Sequence, residues 1–512
     1  MREARPDAPG RWPARDDVVI VGVAALVLFG FVAAELRIAG EVGLPLDDSW
    51  IHLRFAQSLA AGRGFGVNPG EPVAGSTAPL WTLLLAGVMA LGVPGLAATK
   101  TLGVLAYALT GLLARRLALA LGLGPGPALA AGVAVVGLGR LAWGALSGME
   151  VPLAAALVAG AALLVVRACP HAAAACLGLA TLARPEAALV AGLHVAGAGG
   201  PRAALARAVL VALPLAPAVA FNVATVGRLV PATAAAKVEG GVLGYLVGVR
   251  EPWGAAASRA LGYLAEWGRQ LWDDHWGLPA LAAAGLVVVR RGPLRWLGWA
   301  LLLHPLAMAL LAPYRGPAFQ TGRYSSHLLP LAVVLALAGL GALLAALPGR
   351  AGLRAGLWGV LALGLVLPLG PASGAYAWGV QNINAMQVHL GRWVARHTPP
   401  GARLAVNDIG AITYFGDRPI VDLMGLATPA IIPYRRRPDG VLRYLEQACP
   451  DYLVIFPAWF PDLAARADLF RPLTRVRLAH NVVSGAAEMV LYETIWNRWR
   501  PIRAPCPRRP IP

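Results

Sequence analysis

Two adjacent acidic residues, Asp47 and Asp48, have the side chains in this sequence that are best suited to chemistry. Between residues 18 and 371 the chain is strongly apolar and contains four aspartates, two of which form this pair. An acidic pair at the mouth of a membrane helix is costly to place near hydrocarbon, which favours a functional site. One carboxylate could act as a general base towards a hydroxyl, while the other holds it in place or binds a divalent cation. The alternative is a solvated pair in a loop at a helix end.

Basic side chains close to apolar segments could bind a phosphate group. Lys237 is one of only two lysines in the chain and lies in a predicted outer loop. Arg184 lies beside a predicted membrane boundary, and Arg323 lies in the segment GRYSSH together with Tyr324. These positions predict contacts with an anionic substrate, although basic loop residues are often merely solvated.

Glu150 and Glu186 each begin an apolar segment with a proline nearby. Negative charge at a helix N-terminus is mildly stabilising, so a structural role would also explain both glutamates. We predict that these two residues contact the substrate together with His52, Arg54 and Tyr324.

Other familiar chemical motifs are absent from the sequence. No His/Cys group has the spacing of a zinc site, and neither a Walker A loop nor a GxSxG motif occurs. The run Asp273–Asp274–His275 is flanked by tryptophans and could contact a metal or a sugar, or form an interfacial aromatic belt. ATP-driven transport therefore has no visible support in this chain.

The composition indicates that membrane helices must position these residues. The chain has 512 residues, of which 58% are hydrophobic and only 14% charged, with a net charge of +18. Soluble domains carry about 25% charged residues, so this is predicted to be a polytopic membrane protein. The excess positive charge is almost all arginine that flanks apolar segments, as the positive-inside rule expects. It is therefore weak evidence for nucleic acid, and no such partner is predicted.

The arginine pattern predicts about eleven crossings, with the N-terminus in the cytoplasm and the C-terminus outside. The first crossing, Val18–Ile38, is longer than the apolar region of a signal peptide, so we interpret it as an uncleaved helix. Ala78–Leu91 is predicted to lie in the interface or to re-enter, because a full crossing would leave an arginine pair outside. The other ten crossings are Ala97–Leu119, Gly126–Ala145, Val151–Val166, His171–Leu182, Ala187–Ala198, Ala208–Val226, Gly277–Val289, Trp296–Ala312, Leu328–Leu347 and Leu357–Gly370.

This topology places the chemistry on the outer face of the membrane. The predicted catalytic membrane domain covers residues 1–371 and includes a first outer loop at 40–95. Within that loop, Ile51–Ala61 has the apolar spacing of a short amphipathic helix. The acidic pair and the candidate phosphate ligands then all emerge on the same, extracytoplasmic side.

Residues 372–512 are more polar and are predicted to form an extracytoplasmic α/β domain large enough for its own core. Cys449 and Cys506 could pair there if the domain is outside the cytosol, or could be two unpaired thiols. The tail, Trp496–Pro512, either rests on the membrane or is a frayed end. Predicted helices are Val380–His397 and Gly440–Cys449, and predicted strands are Arg403–Val406, Arg418–Leu423, Asp451–Phe456 and Glu488–Tyr492.

The segment LPLDDSWIHLRFAQSLAAGRGFGVNPGEPVAGSTAPLWTLL resembles the first outer loop of GT-C glycosyltransferases, in particular a bacterial branch similar to mycobacterial arabinofuranosyltransferases. Further pieces match in the family's order. They are ALSGMEVPL, LARPEAAL, GRLVPATAAAK, GRYSSHLLP and NDIGAITYFGDRPIVDLMGL.

The resemblance implies an inverting transferase that uses a polyprenyl-phosphate sugar on the outer face of a bacterial cytoplasmic membrane. The family's loop acid matches Asp47 or Asp48, and related families more often use the first acid, so Asp47 is favoured as the base. Lys237, Arg184 and Arg323 would hold the lipid phosphate. The acceptor would be a hydroxyl of a cell-envelope glycan, lipid or protein, and metal dependence is left open.

A different class of function is a transporter or flippase for a lipid-linked precursor, or a non-catalytic assembly factor. A transporter more often has repeated halves and ionisable residues at mid-membrane, and neither is evident in this sequence. Transfer activity with Asp47 and Asp48 replaced singly would separate the two classes.

Overall fold

The computed structural model describes residues 15–346 and 350–498, and consists of a helical membrane part followed by a small mixed sheet. This arrangement agrees with the predicted fold class, a polytopic helical protein with a C-terminal α/β unit. Four short 3₁₀ turns and one π-helical turn, Asn384–Val388, interrupt the helices.

The α-helices of the described chain are named here in chain order. They are α1 Arg15–Ala39, α2 Asp47–Ala60, α3 Pro79–Ala90, α4 Gly95–Ala120, α5 Pro125–Gly137, α6 Gly139–Leu146, α7 Val151–Val166, α8 Pro170–Ala183, α9 Ala188–Ala196, α10 Pro201–Ala212, α11 Ala216–Val226, α12 Ala232–Lys237, α13 Gly241–Leu246, α14 Trp253–Asp274, α15 Leu278–Val289, α16 Arg295–Gly298, α17 Ala300–Leu311, α18 Phe319–Gly322, α19 Leu329–Ala345, α20 Ala351–Val366, α21 Leu369–Ile383, α22 His389–His397, α23 Ala411–Gly416, α24 Ile432–Arg435, α25 Gly440–Ala448, α26 Pro461–Ala464 and α27 Ile495–Arg498.

Five helical segments of the described chain are long and apolar enough to cross a membrane. They are Arg15–Ala39, Gly95–Ala120, Pro201–Val226, Phe319–Ala345 and Ala351–His397. The pair α5 and α6 would form a sixth span, and six shorter apolar helices of 10–17 residues also occur. Every predicted crossing contains a helix, which identifies a multi-pass membrane protein. Because several helices are shorter than the roughly 20 residues that a crossing needs, the count of eleven stays a prediction.

The predicted single crossing Gly126–Ala145 is broken in the structure. Leu138 is extended, with φ −75° and ψ 121°, and the helices on either side of it form an angle of 55°. The bend directs α6 and the following turn beneath α2, where the Ser49 hydroxyl donates to Ser147 O at 2.6 Å and Trp81 Nε1 donates to Gly148 O at 2.9 Å. The break therefore brings the chain around Glu150 next to the acidic pair.

Helix α2 carries the acidic pair and is buried on both faces. It begins at Asp47, four residues before the predicted start of the amphipathic helix, and its polar residues His52 and Arg54 are only 3% and 1% exposed. The prediction of one solvent-facing side is wrong, because α3 covers one side of α2 and α23 of the C-terminal domain covers the other. Trp50 packs against the Tyr414 and Phe415 rings at 5.2 and 4.9 Å.

The C-terminal part contains a five-stranded sheet in the order β2-β1-β3-β5-β4. Strands β2, β1 and β3 are parallel, and β5 and β4 continue the sheet antiparallel. The strands are β1 Leu404–Val406, β2 Ile420–Asp422, β3 Tyr452–Ile455, β4 Phe470–Arg477 and β5 Glu488–Thr494. The four predicted strands correspond to β1, β2, β3 and β5, whereas β4 was missed because this edge strand contains Pro472 and is mostly exposed.

The predicted domain boundary at residue 371 lies inside α21, which continues through the π-turn into α22. Apolar residues of the first outer loop, including Ile51, Phe55 and Val67, share a core with strands of the sheet. The outer loop and the C-terminal part therefore pack as one body around α2. Cys506 and most of the tail Trp496–Pro512 lie outside the described residues, so their predicted pairing and membrane contact stay predictions.

Candidate active site

Asp47 and Asp48 occupy the first turn of α2 and contact different parts of the molecule. Consecutive residues of a helix point about 100° apart, so the two carboxylates cannot share one set of partners. Asp47 faces the C-terminal domain, where its carboxylate accepts hydrogen bonds from the backbone N–H groups of Gly410 and Ala411, both at 2.8 Å. Asp48 faces the helical part instead.

The backbone donors of the C-terminal domain fit closely around Asp47. A Cβ atom at Gly410 would lie 2.7 Å from the Asp47 Cγ, so glycine is required for this approach. Burial raises the pKa of Asp47 well above its usual range, and the nearby Asp408 carboxylate raises it further, against the effect of the two N–H donors. Asp47 therefore has a greater affinity for a proton than an exposed aspartate.

Asp48 forms an ion cluster with two basic residues from separate elements. Arg323 Nη2 lies 2.5 Å from Asp48 Oδ2, and Lys237 Nζ, at the end of α12, lies 3.7 Å from the same oxygen. Although burial opposes ionisation, these two cations hold the pKa of Asp48 well below its usual range. Asp48 in turn raises the pKa of Lys237 against the effect of burial. All three groups are thus charged near neutral pH.

A turn of unusual conformation places Arg323 in this cluster. Gln320, Thr321 and Gly322 all have positive φ, at 48°, 60° and 65°. A β-branched residue rarely adopts this left-handed conformation, and such strain is concentrated at functional sites. The turn directs the Arg323 side chain inward, where it is 3% exposed.

A second charged group lies next to the first. The Arg184 guanidinium pairs with Glu150, lies 3.3 Å from Glu186 through its Nε, and sits 4.8 Å from the centre of the Tyr324 ring. His52 Nε2 is 3.4 Å from the other Glu150 oxygen. Arg184 and Glu150 are each only 3% exposed, so this group is fixed in place.

Two cavities meet at the Asp48 cluster. The smaller, of about 180 Å³, is lined by both charged groups, by the buried Thr233 and by residues 75–77 of the first outer loop. The larger, of about 950 Å³, lies between the helical part and the C-terminal domain and is lined by Asp47 and Asp408. Asp48, Lys237 and Arg323 line both cavities and so form the wall between them.

The smaller cavity presents buried polar atoms with no hydrogen-bond partner among the described residues. They are Thr233 Oγ1, together with Glu150 Oε2 and Glu186 Oε2, which form ion-pair contacts with His52 at 3.4 Å and with Arg184 at 3.3 Å but accept no hydrogen bond. An unsatisfied buried polar group costs about 1–3 kcal/mol, so atoms of this kind in a cavity wall indicate a place for a polar ligand.

The structure brings nine of the ten predicted site residues together around these cavities. Arg54 is the exception, because its guanidinium donates to Val67 O and to Asp417 and lines neither cavity. We therefore correct its predicted role: Arg54 fixes α2 to the C-terminal domain. The nine others are Asp47, Asp48, His52, Glu150, Arg184, Glu186, Lys237, Arg323 and Tyr324.

The structure does not support a metal or sugar site at the run Asp273–Asp274–His275. Asp274 is buried in an ion pair with Arg140, and His275 Nε2 contacts Leu361 O at 2.9 Å, so neither faces the two cavities. Within the described ranges, no group of three or more His, Cys, Asp or Glu side chains is arranged to hold a metal ion.

Asp408 and Thr233 are among the cavity residues that the sequence analysis did not identify. Asp408 lies in the quoted segment NDIGAITYFGDRPIVDLMGL, to which no site residue was assigned. Its carboxylate accepts hydrogen bonds from Gln387 at 2.9 Å and from Asn407 at 3.1 Å, and burial raises its pKa to about 6. Only the folding of the C-terminal domain onto α2 brings Asp408 to Asp47, which spacing along the chain could not show.

Known proteins share the fold of this chain over most of its length, whereas a family model matches only one part of it. A family model described as "Domain of unknown function (DUF8728)" matches residues 381–503, about a quarter of the chain. No curated protein sequence matches the chain.

Solved membrane proteins are similar over most of the chain. ArnT from Cupriavidus metallidurans bound to undecaprenyl phosphate has a TM-score of 0.57 at 14% identity, over 93% of this chain and 97% of ArnT. The oligosaccharyltransferase AglB from Archaeoglobus fulgidus, in complex with an inhibitory peptide and a dolichol-phosphate, has a TM-score of 0.51 at 12% identity, over 85% and 69%. Its apo form has a TM-score of 0.54 at 11% identity, over 93% and 75%. The chain thus shares the fold of these two membrane proteins, and its resemblance to GT-C glycosyltransferases and to their arabinofuranosyltransferase-like branch stays a prediction.

Proposed function

We propose that this protein is an inverting glycosyltransferase that moves a sugar from a polyprenyl-phosphate donor to an acceptor hydroxyl on the outer face of the membrane. Similarity to ArnT bound to undecaprenyl phosphate and to AglB in complex with a dolichol-phosphate supports a lipid-phosphate donor. The observation that carries the proposal is the Asp48 cluster. Its two cations, Lys237 and Arg323, line both the smaller cavity, proposed for the donor, and the larger cavity, proposed for the acceptor.

The charged side chains that line the smaller cavity support one binding position for the donor phosphate. Among the described residues that line it, three basic side chains face three carboxylates, so no cation is free in the resting state. Glu150 is buried against Arg184, whereas the Asp48 side chain is 28% exposed. An incoming phosphate therefore takes the place of Asp48 as the partner of Lys237 and Arg323.

The two cations would then provide the main catalytic effect. The acceptor oxygen attacks the anomeric carbon, the bond from that carbon to the phosphate oxygen breaks, and its electron pair stays on the phosphate. Preorganised positive charge at the departing oxygen stabilises the transition state more than the ground state. Arg184, which is already paired with two glutamates, would orient the donor rather than hold its phosphate.

Asp47 is proposed as the general base. It lines the larger cavity, where the acceptor would bind, and not the smaller one. Its raised pKa makes it a stronger base than Asp48, whose proton affinity the two cations suppress. Asp47 would accept the hydroxyl proton as the new glycosidic bond forms.

The volumes of the two cavities support the placement of donor and acceptor. At about 180 Å³ the smaller cavity is much smaller than the larger cavity of about 950 Å³, so the donor sugar is assigned to the smaller cavity and the acceptor to the larger one. A cell-envelope acceptor and a place in the arabinofuranosyltransferase-like branch are the finer proposals that the sequence resemblance adds.

The test is transfer by the purified protein in nanodiscs from radiolabelled polyprenyl-phosphate pentoses and hexoses to a cell-envelope extract. We expect product from one donor with the wild type. Asp47→Asn should lower kcat by about 10²–10⁴-fold, the usual contribution of a general base, without loss of donor binding. An exposed matched control, Asp462→Asn, should retain full activity.

Two outcomes would contradict the proposal. Full transfer by Asp47→Asn would reject the base, and the acidic pair as a whole if Asp48→Asn is also unaffected. Movement of an intact fluorescent lipid-linked sugar across the bilayer, with no product formed, would instead identify a flippase.

A further inference from the structure

Asp408 brings a third carboxylate to the larger cavity, from the C-terminal domain. It lies two residues before Gly410, whose N–H group binds Asp47, so one turn of the chain holds both the anchor of Asp47 and a second acid. Asp47 and Asp408 both line the larger cavity. The Asp408 side chain is fixed from behind by Gln387 of the π-turn and by Asn407.

We propose that Asp408 is a positioning residue that forms a proton-sharing carboxylate pair with Asp47. The inference rests on the proposed transferase function and extends it. The strength of the base would depend on Asp47 in the helical part and on Asp408 in the C-terminal domain. Two neighbouring carboxylates in a partly buried site resist double ionisation, so the pair keeps one proton over a range of pH. Burial raises the pKa of both groups; the Asp408 carboxylate raises that of Asp47 further, and the Asp48 and Asp422 carboxylates raise that of Asp408.

The surrounding charges are arranged so that Asp47 and Asp408 share the proton while Asp48 does not. Asp48 is compensated by Lys237 and Arg323. Arg54, Arg63 and Asp417 form a separate cluster at the C-terminal end of α23. Among the other described charged residues, Glu239, Arg315 and Arg435 line the same cavity, and Asp422, which acts on Asp408 through its charge, is fully buried among backbone donors of its own turn.

The pair provides a balanced route for the proton. With both carboxylates ionised, the acceptor hydroxyl gives its proton to Asp47 as its oxygen bonds to the anomeric carbon, and the bond from that carbon to the phosphate oxygen breaks with its electron pair on the phosphate. The pair then shares that proton and releases it to water through the larger cavity before the next turnover. No other reactant is needed.

A purely structural role for Asp408 makes a different prediction. Loss of the contacts with Gln387 and Asn407 would reduce the rate equally at every pH. Loss of a charge beside Asp47 instead lowers the pKa of Asp47, because the ionised form no longer meets a like charge. The acid limb of the pH–rate profile would then move to lower pH.

The experiment compares kcat/KM against pH for wild type, Asp408→Asn, Asp408→Glu and the exposed control Asp439→Asn. For Asp408→Asn we expect the acid limb to move down by about one pH unit, a common effect of a neighbouring charge, and the plateau rate to fall. Asp408→Glu should restore the wild-type limb, and Asp439→Asn should not change it.

Infrared titration of the carboxyl C=O band in nanodiscs tests the pair without any transfer. A band that persists to pH 6 and above in the wild type should disappear in Asp47→Asn and in Asp408→Asn. Retention of that band in Asp408→Asn, or an unshifted acid limb, overturns the pair. Absence of transfer by the wild type with the band present would instead reject the transferase function, so the two failures are distinguishable.

Discussion

At the scale of single residues, neighbouring side chains have opposite electrostatic environments. Asp47 is held by neutral N–H groups beside another acid, whereas Asp48 is held by two cations, although the two residues are adjacent in sequence. Pairs of titratable groups whose surroundings push their pKa values apart divide acid–base work between them. Sequence alone offered no way to choose between the two aspartates beyond the family resemblance.

Lys237 gives the first prediction at this scale. Lys237→Gln removes one of the two cations that would stabilise the departing phosphate and leaves Asp48 paired with Arg323. We expect kcat/KM to fall by about 10²–10³-fold, as when one such stabilising group is lost elsewhere. Lys237→Arg should recover part of the rate, and the exposed matched change Arg250→Gln should have no effect. Equal rates for Lys237→Gln and the wild type would exclude a phosphate contact.

At the scale of elements, α2 and the turn before α23 together build the site. Two positions show how the C-terminal domain is fastened to α2: Gly410, where a side chain has no space, and Arg54, which reaches Asp417 from a fully buried position. Both contacts join residues more than 360 positions apart.

Gly410→Ala would place a methyl group against the backbone oxygen of Asp47 and 2.7 Å from its carboxylate carbon. We expect strongly reduced transfer with a small change in melting temperature, because the clash is at the junction and not in either core. The control is Gly401→Ala, since a Cβ at Gly401 has nothing within 4 Å. Wild-type activity in Gly410→Ala would show that the observed approach of Asp47 to the domain is not needed.

Arg54→Met tests the corrected role of Arg54. The change removes hydrogen bonds to Val67 O and Asp417 from a buried guanidinium. We expect about 2 kcal/mol lower stability, seen as a lower melting temperature, with the KM for donor unchanged. Asp417→Asn should cost less, because the Asp417 side chain is 58% exposed. A raised KM with unchanged stability would return Arg54 to the substrate site.

The elements themselves were largely predictable, and their association was not. Apolar runs and turn residues located the helices and β1, β2, β3 and β5. They could not reveal that α2 is covered on its second face, because the covering residues, such as Tyr414 and Phe415, come from a distant domain. His52 is close to the acidic pair in the sequence and was identified as a site residue. Asp408 reaches the pair only from the distant domain and was not identified. The bend at Leu138 differs from the predicted single crossing, although Gly137 and Gly139 flank it, because isolated glycines also occur within unbroken helices such as α4.

At the scale of the whole molecule, a lipid-linked donor on the outer face requires that the two cavities open on that side of the membrane. Cys169, in the turn between α7 and α8, is exposed and is predicted to lie on the cytoplasmic side. A membrane-impermeant maleimide should label it in inside-out vesicles and not in intact cells, with Cys169→Ser as the control that identifies the signal. A reporter fused after Gly370 should be extracytoplasmic. Labelling of Cys169 from outside would invert the topology and remove the basis for a lipid-linked donor.

The most direct measurement of the central claim is an experimental structure of the protein in nanodiscs with a polyprenyl phosphate bound. The account predicts that the phosphate lies within hydrogen-bond distance of both Lys237 Nζ and the Arg323 guanidinium, with the Asp48 carboxylate displaced and Asp47 still bound to Gly410. A phosphate bound away from these two cations, with the Asp48 cluster intact, would contradict it.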